Sequence, residues 1–149
     1  MTEIEIGRSK RAINGFAFDD IAIVPTRRTR DPRDVSTSWS IDAFQFEMPV
    51  IAAPADSAMS PATAIELGKL GGLGVLDLEG LWTRYEDPTQ QLAEIAAAKD
   101  EDATAVLQRV YSKPVQAELI EARLGEIRAA GVTVAGALSP QRTAEFADV

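Results

Sequence analysis

The hydrophobic positions of this chain fall into three short and nearly continuous runs. The runs are Met48–Pro54, Leu73–Leu78 and Val132–Leu138. Runs of this length, without polar alternation, are typical of strands that are buried on both faces of a parallel sheet. Each run is followed by a polar loop and by a proline that marks a helix start. The pattern therefore predicts repeated strand–helix units.

The segments between these strands carry helix signals. Pro61–Leu70 follows Ser60, a favoured N-cap residue, and ends at Gly71. Another helix opens at Asp87-Pro88, and its apolar residues are spaced for one helical face. These residues are Leu92, Ile95 and Ala96. Further helices are predicted at Asp102–Tyr111, at Pro114–Ala130 and from about Pro140 onward.

Strand–helix repeats of this kind predict an α/β fold with a parallel sheet, either a doubly wound sheet or a TIM barrel. The glycines at Gly71–Gly74 lie at a helix-to-strand junction, which is the wrong end for a dinucleotide-binding turn, so the barrel is favoured. A complete barrel needs roughly 250 residues, and this chain supplies about three of the eight units. We therefore expect the N-terminal part of a longer protein, with residues 1–47 as an extension that packs on the barrel and residues 48–149 as a partial barrel.

Composition narrows the chemistry that the chain can perform. It has 149 residues, 15 Lys and Arg against 23 Asp and Glu, a formal charge of -8, and no Cys or His. Cysteine and serine–histidine nucleophiles and Cys/His zinc sites are therefore excluded, and the acidic balance argues against a nucleic-acid partner. The apolar runs are too short to cross a bilayer, and no signal peptide is visible. We expect a cytoplasmic protein without a membrane partner.

Several motifs resemble the IMP dehydrogenase/GMP reductase family. The segment GFAFDDIAIVP at Gly15–Pro25 is similar to the opening of the family, and MPVIAAPADS at Met48–Ser57 is similar to its first barrel strand and loop. AIELGKLGGLGVL at Ala64–Leu76 resembles the first helix and second strand. The chain runs from Asp77–Trp82 straight into helices, as in the branch of the family that lacks CBS modules.

The resemblance implies an oxidoreductase of purine nucleotide metabolism. Family members convert IMP to XMP with NAD, or GMP to IMP with NADPH, and their nucleophilic Cys lies in the second half of the barrel. The resemblance also implies a purine nucleotide bound across the strand ends, NAD or NADP as cofactor, a monovalent cation in the second half and a homotetramer. We expect the intact protein to be IMP dehydrogenase-like and this chain alone to be inactive, with no catalytic residue of its own.

The resemblance also selects candidate site residues. Ala53, Ala55, Asp56 and Ser57 fall in the first-strand loop, where the family has a nucleotide-contacting Ser-x-Met-Asp motif; its Ser and Met are here Ala53 and Ala55. Asp56 is expected to bind substrate, or to close a local Asx-turn.

Asp77, Glu79 and Arg30 are the candidate cofactor-binding residues. Asp77 and Glu79 follow the second strand. Instead of binding the cofactor, they could form a carboxylate pair that performs acid–base chemistry or binds a divalent metal ion. They could also belong to a solvated acidic loop. Arg30 belongs to a basic cluster that could contact phosphate or only balance surface charge. We predict no metal site.

Three alternatives to the IMP dehydrogenase hypothesis stay open. The intact protein could be a GMP reductase, or it could be a nucleotide-binding relative that has lost catalysis, which the Ala53 and Ala55 replacements favour. The chain could also be an interaction module built from a partial barrel, in which exposed edge strands drive association.

Overall fold

The computed structural model describes residues 3–6, 8, 10–24 and 31–149 of the chain. The chain forms two compact units, Met1–Ser36 and Thr37–Val149. In the first unit, β1 (Glu3–Glu5) pairs antiparallel with β2 (Arg11–Ile13). None of the described side chains of this unit is buried, and Phe18 and Ile23 are 92% and 98% exposed. The described part of the first unit therefore holds no hydrophobic core of its own.

The second unit begins with a hairpin of β3 (Trp39–Ile41) and β4 (Phe44–Phe46). The Trp39 ring stacks on Phe46, with 4.9 Å between ring centroids, and its Nε1 donates to the Met48 carbonyl at 2.8 Å. The Met48 N–H in turn donates to the Gly71 carbonyl at 3.0 Å. These bonds tie the hairpin to the chain that follows, and the second compact unit accordingly begins at Thr37, before the hairpin.

Three parallel strands form the main sheet. They are β5 (Ile51–Ala52), β6 (Leu73–Asp77) and β7 (Ala135–Ala137), in the order β5-β6-β7. All three predicted strands are therefore confirmed, and they are adjacent and parallel. The strands β5 and β7 are shorter than their apolar runs, because each pairs with only one neighbour among the described strands, so fewer residues are fixed by ladder hydrogen bonds.

All five predicted helices are present. They are α1 (Pro61–Lys69), α2 (Thr89–Ala97), α3 (Asp100–Val110), α4 (Ala117–Ala129) and α5 (Thr143–Phe146). Ser60 caps α1 as predicted, since its Oγ accepts from the Thr63 N–H at 3.1 Å. Two helices begin later than predicted: the Gln116 N–H donates to the Thr83 carbonyl before α4 starts, and a turn from Ser139 to Arg142 precedes α5. No helix in the described part of the chain is long and apolar enough to cross a membrane.

The helices α1 and α4 cover one face of the sheet and leave Asp77 on the other. A Cβ on Gly74 would lie 2.6 Å from the Ala64 Cα, so α1 packs directly against the face that carries Gly74 and Leu76. Leu76, Ile120 and Ile127 are fully buried in the cluster between sheet and helices. Alternation along β6 places Asp77 on the opposite face, at the carboxyl end of the strand, where barrel enzymes place their functional groups.

Candidate functional site

A cavity of about 700 Å³ opens at the carboxyl ends of β5 and β6. Its polar lining comes from the loop after β5, from the end of β6 and from the residue after α3. Its apolar lining comes mainly from α2 and α3. The lining residues are Ala55, Asp56, Ser57, Asp77, Leu81, Leu92, Ile95, Ala96, Leu107 and Tyr111. The volume lies within the range of small-molecule sites.

Asp56 links the loop after β5 by hydrogen bonds to the loop after β6 and to the end of α3. Its Oδ2 accepts hydrogen bonds from the Leu81 N–H at 2.8 Å and from the Tyr111 hydroxyl at 2.6 Å. Gly80 permits this approach, because a Cβ there would lie 2.8 Å from Oδ2 and 2.9 Å from Cγ. The Oδ1 atom is buried and has no hydrogen-bond partner within the described residues. Asp56 thus makes long-range bonds, and no local Asx-turn bond is among its contacts.

Asp77 is the second carboxylate of the cavity. Its Oδ1 accepts from the Glu79 N–H at 2.9 Å. Burial raises the pKa of Asp77 above its ordinary value, and the nearby carboxylates of Asp56 and Glu79 add to the rise. The hydrogen bond from Glu79 and the charge of Arg84 act in the opposite direction. Placing a further negative charge beside Asp77 is therefore unfavourable.

Glu79 is turned away from the cavity and braces the neighbouring strand. Its carboxylate accepts from the Ser139 N–H at 2.7 Å and from the Ser139 hydroxyl at 3.0 Å, which links the loops after β6 and β7. The Ser139 N–H is the main cause that lowers the pKa of Glu79. Asp77 and Glu79 therefore serve different contacts and do not form a paired site. In residues 31–149 and the described part of the first unit, no group of three or more acidic, His or Cys side chains is placed to hold a metal.

Tyr111 is a cavity residue that sequence reasoning missed. Burial and the hydrogen bond to Asp56 both raise the pKa of its phenol, so the hydroxyl stays protonated and donates. Arg84 fixes the backbone around it, donating from Nε to the Glu79 carbonyl at 2.9 Å and from Nη1 to the carbonyls of Tyr111 and Lys113. A pairing 55 positions apart has no local sequence signal, and only the three-dimensional fold reveals it.

The structure places the candidate residues of the sequence analysis in three groups. Ala55, Asp56, Ser57 and Asp77 line the cavity together, whereas Ala53 and Glu79 do not line it. Arg30 lies outside the described residues.

The aromatic residues of the second-strand loop pack within the protein. Trp82 packs on the core cluster beneath the Arg123 guanidinium, and the Tyr85 hydroxyl donates to the Val110 carbonyl at 2.9 Å. Neither aromatic ring lines the cavity.

The fold and the site together define part of a (β/α)8 barrel with its candidate site at the carboxyl ends of the strands. Residues 15–142 match the IMP dehydrogenase / GMP reductase domain, and the chain belongs to that family. The crystal structure of an IMP dehydrogenase/GMP reductase-like protein from Corynebacterium glutamicum matches 98% of this chain with a TM-score of 0.83 and 41% identity. The predicted partial barrel is thereby confirmed.

Curated relatives agree with this assignment. The chain is 46% identical over 143 residues to an uncharacterized oxidoreductase of Mycolicibacterium smegmatis and 48% identical to one of Mycobacterium tuberculosis, covering 93% of this chain in both cases. It is 26% identical over 66% of its length to the inosine-5'-monophosphate dehydrogenase of Thermoplasma acidophilum. The chain spans 38% of the length of the first two relatives and 40% of the Corynebacterium chain.

Proposed function

We propose that this chain forms the first part of the barrel of an oxidoreductase that converts IMP to XMP with NAD. The observation that carries the proposal is the match of residues 15–142 to the family. The family-like first loop also lines a cavity at the carboxyl ends of the strands. The relatives named oxidoreductases support the reaction class. The more distant relatives named IMP dehydrogenases support the substrate.

Within this proposal, the residues of the chain bind and position the ligands, and none of them takes part in the covalent chemistry. Asp56 is fixed by Leu81 and Tyr111, so the first loop meets the nucleotide in one conformation. Ser57 is exposed beside it and offers a hydroxyl to the ligand. Ala53 and Ala55 leave room at the same loop. The chain contains no Cys or His, so the nucleophile must come from other residues of the complete enzyme, and we expect no turnover by the 149 residues alone.

The cofactor ring suits the chemistry of the cavity. The side chains of α2 and α3 offer an apolar surface, and Asp77 offers a carboxyl group as hydrogen-bond partner. When bound, the nicotinamide supplies the hydride acceptor of the reaction. Asp77 and the apolar side chains of α2 and α3 are the residues that would hold the ring, and the apolar side chains would exclude water from it.

The test is the rate of nicotinamide absorbance change in the complete, genome-encoded protein. One reaction contains IMP and NAD, and another contains GMP and NADPH. A rate with IMP and NAD is expected, and a rate only with GMP and NADPH would replace the proposal with a GMP reductase. Silence in both reactions, with nucleotide still bound, would identify a relative without catalysis. In that case Ala53→Ser and Ala55→Met are the first substitutions to introduce, since those positions depart from the family motif.

We also propose that the complete protein is a cytoplasmic homotetramer, as the family resemblance implies. Size-exclusion chromatography with light scattering on the complete protein tests this assembly. A monomer would contradict it.

A further inference from the structure

Two helices stand between β6 and the helix that packs against the sheet. In a (β/α)8 barrel each strand is followed by a helix that covers the outside of the sheet. After β6 that helix is α4, because its Ile120 and Ile127 are fully buried in the same core cluster as Leu76. The helices α2 and α3 precede it in the chain and line the cavity at the strand ends instead. They are therefore an insertion in the second strand–helix unit.

The inserted helices bury little apolar surface. No residue of α2 is buried, and Val110 is the only buried residue of α3. Leu92 and Ile95 are half-buried and line the cavity, as does Leu107, which is 41% exposed. An amphipathic helix is stabilised mainly by packing its apolar face on a core. Because most of this packing is missing, α2 and α3 are held in place more weakly than α4.

Along most of their length, α2 and α3 are bonded to each other and not to the barrel. Glu94 of α2 forms an ion pair with Arg109 of α3. In the described part of the chain, no hydrogen bond or ion pair connects residues 89–109 to the sheet, to α1 or to α4. The two helices are therefore joined as a pair, and the bonds that attach the pair to the barrel lie beyond this range.

The end of α3 is attached to the strand ends by three hydrogen bonds. The Tyr111 hydroxyl donates to Asp56 Oδ2 at 2.6 Å, and the Tyr85 hydroxyl donates to the Val110 carbonyl at 2.9 Å. Arg84 donates to the Tyr111 carbonyl at 2.9 Å. Asp56 follows β5, whereas Arg84 and Tyr85 follow β6. Breaking these bonds would release α3 from both strand ends.

We infer that α2 and α3 form a lid, residues 89–111, which detaches from the strand ends as one unit while the barrel stays folded. The three bonds at the end of α3 hold the lid closed, and the bond from Tyr111 ties it to the first-strand loop. With 9 and 11 residues, the two helices are too short to be stable in water without packing, so detachment exposes their backbone amides. The lid controls entry to the cavity, goes beyond the proposed reaction and does not depend on it.

Hydrogen–deuterium exchange, measured by mass spectrometry, tests the lid in the complete, genome-encoded protein without added ligand. Peptides from α2 and α3 should exchange together, at least about 100-fold faster than peptides from α4, whose amides are exposed only when the core opens. Low concentrations of urea should accelerate exchange of the lid less than exchange of α4, because detachment exposes less surface than unfolding.

Tyr111→Phe tests the attachment at the end of α3, because it removes the hydroxyl that bonds to Asp56 and keeps the ring. Loss of a hydrogen bond to a charged group should make exchange about tenfold faster in α3 and, by the same factor, in α2. A merely local role of the hydroxyl would accelerate only the last turn of α3. Ser112→Ala is the matched control, because the Ser112 hydroxyl donates to the Arg109 carbonyl within α3. It should leave exchange of α2 unchanged.

Three results would overturn the inference. Exchange of α2 and α3 as slow as that of α4 would show that both helices belong to the folded core. Acceleration by Tyr111→Phe that stops at the end of α3, or equal acceleration of α2 by Ser112→Ala, would contradict the attachment. The comparison of α2, α3 and α4 in the unchanged protein needs no variant, so it decides even where Tyr111→Phe does not fold. A failed turnover assay rejects only the proposed reaction, because exchange is measured without substrate.

Discussion

Gly80 is the position where a single methyl group should disturb the candidate site most directly. Its backbone φ is -79°, so alanine meets no conformational barrier there. A Cβ would, however, lie 2.8 Å from the Oδ2 and 2.9 Å from the Cγ of Asp56. Gly80→Ala must therefore push the carboxylate away from the Leu81 N–H and the Tyr111 hydroxyl, both of which bond to the same oxygen.

The magnitude follows from the bonds that this shift weakens. Overpacking a well-packed position costs about 1–3 kcal/mol. Each hydrogen bond to a charged group contributes about 1.5–3 kcal/mol. The carboxylate relieves the steric clash by weakening its two hydrogen bonds, so the two costs are not added in full. We expect Gly80→Ala to lower the free energy of unfolding by about 3 kcal/mol. In the Asp56→Ala background the obstacle is absent, and the same substitution should cost roughly nothing, because the two effects are coupled.

Urea unfolding of the four proteins of this double-mutant cycle measures the coupling, with circular dichroism as the signal. Gly125→Ala is the matched control, because Gly125 lies inside α4 and an added Cβ would meet no atom within 4 Å beyond its chain neighbours and the backbone of its own helix. It should raise the unfolding free energy by about 0.5–1 kcal/mol through helix propensity. An equal cost of Gly80→Ala with and without Asp56 would refute the reasoning.

The remaining predictions concern the two acidic residues after β6. Glu79→Gln should lower the unfolding free energy at pH 7, because the charged carboxylate accepts both hydrogen bonds from Ser139. The expected loss is about 1 kcal/mol, since solvent screening weakens the interaction of this partly exposed group. The pKa of Glu79 is lowered in the folded state, so this contribution is present above the ordinary value of 4.5 and disappears as pH falls through the folded pKa. The pKa of Asp77 is raised, so its folded carboxyl favours the proton, and the associated stability is lost as pH rises through the folded pKa. Asp77→Asn should therefore raise the unfolding free energy at pH 7 and leave it unchanged below the ordinary value of 3.8. Urea unfolding between pH 3 and pH 8 measures both effects. A cost of Glu79→Gln that persists at pH 3 would contradict the first prediction. A loss of stability in Asp77→Asn at pH 7 would contradict the second.

The repeating part of the fold was predictable because its signals are local. Short apolar runs marked β5, β6 and β7, and the Ser60 cap with the following proline marked α1. Parallel strands bring their carboxyl ends to one edge, so the loops that carry Asp56 and Asp77 follow the strands at the same edge. At these positions the local sequence preferences favour the same structure as the tertiary contacts do, which is typical of natural sequences.

The partners of the site residues were not predictable from the sequence. The spacing of Leu92 and Ile95 indicated an apolar face, but not whether that face meets the core or a cavity. The bond from Tyr111 to Asp56 spans 55 positions, and the bonds from Ser139 to Glu79 span 60. Such contacts depend on how the loops fold over the strand ends, which no periodicity records. The close approach of Gly80 to Asp56 is of the same kind.

The central claim is that the first-strand loop binds the nucleotide of an IMP-oxidising enzyme. The most direct measurement is kcat/KM for IMP with NAD in the complete protein, before and after Asp56→Asn, which keeps the shape of the side chain. We predict measurable NAD reduction by the unchanged protein and a fall in kcat/KM of about 10- to 100-fold in the variant, the loss expected for one charged hydrogen bond. No NAD reduction by the unchanged protein, or an identical kcat/KM in the variant, would contradict the account.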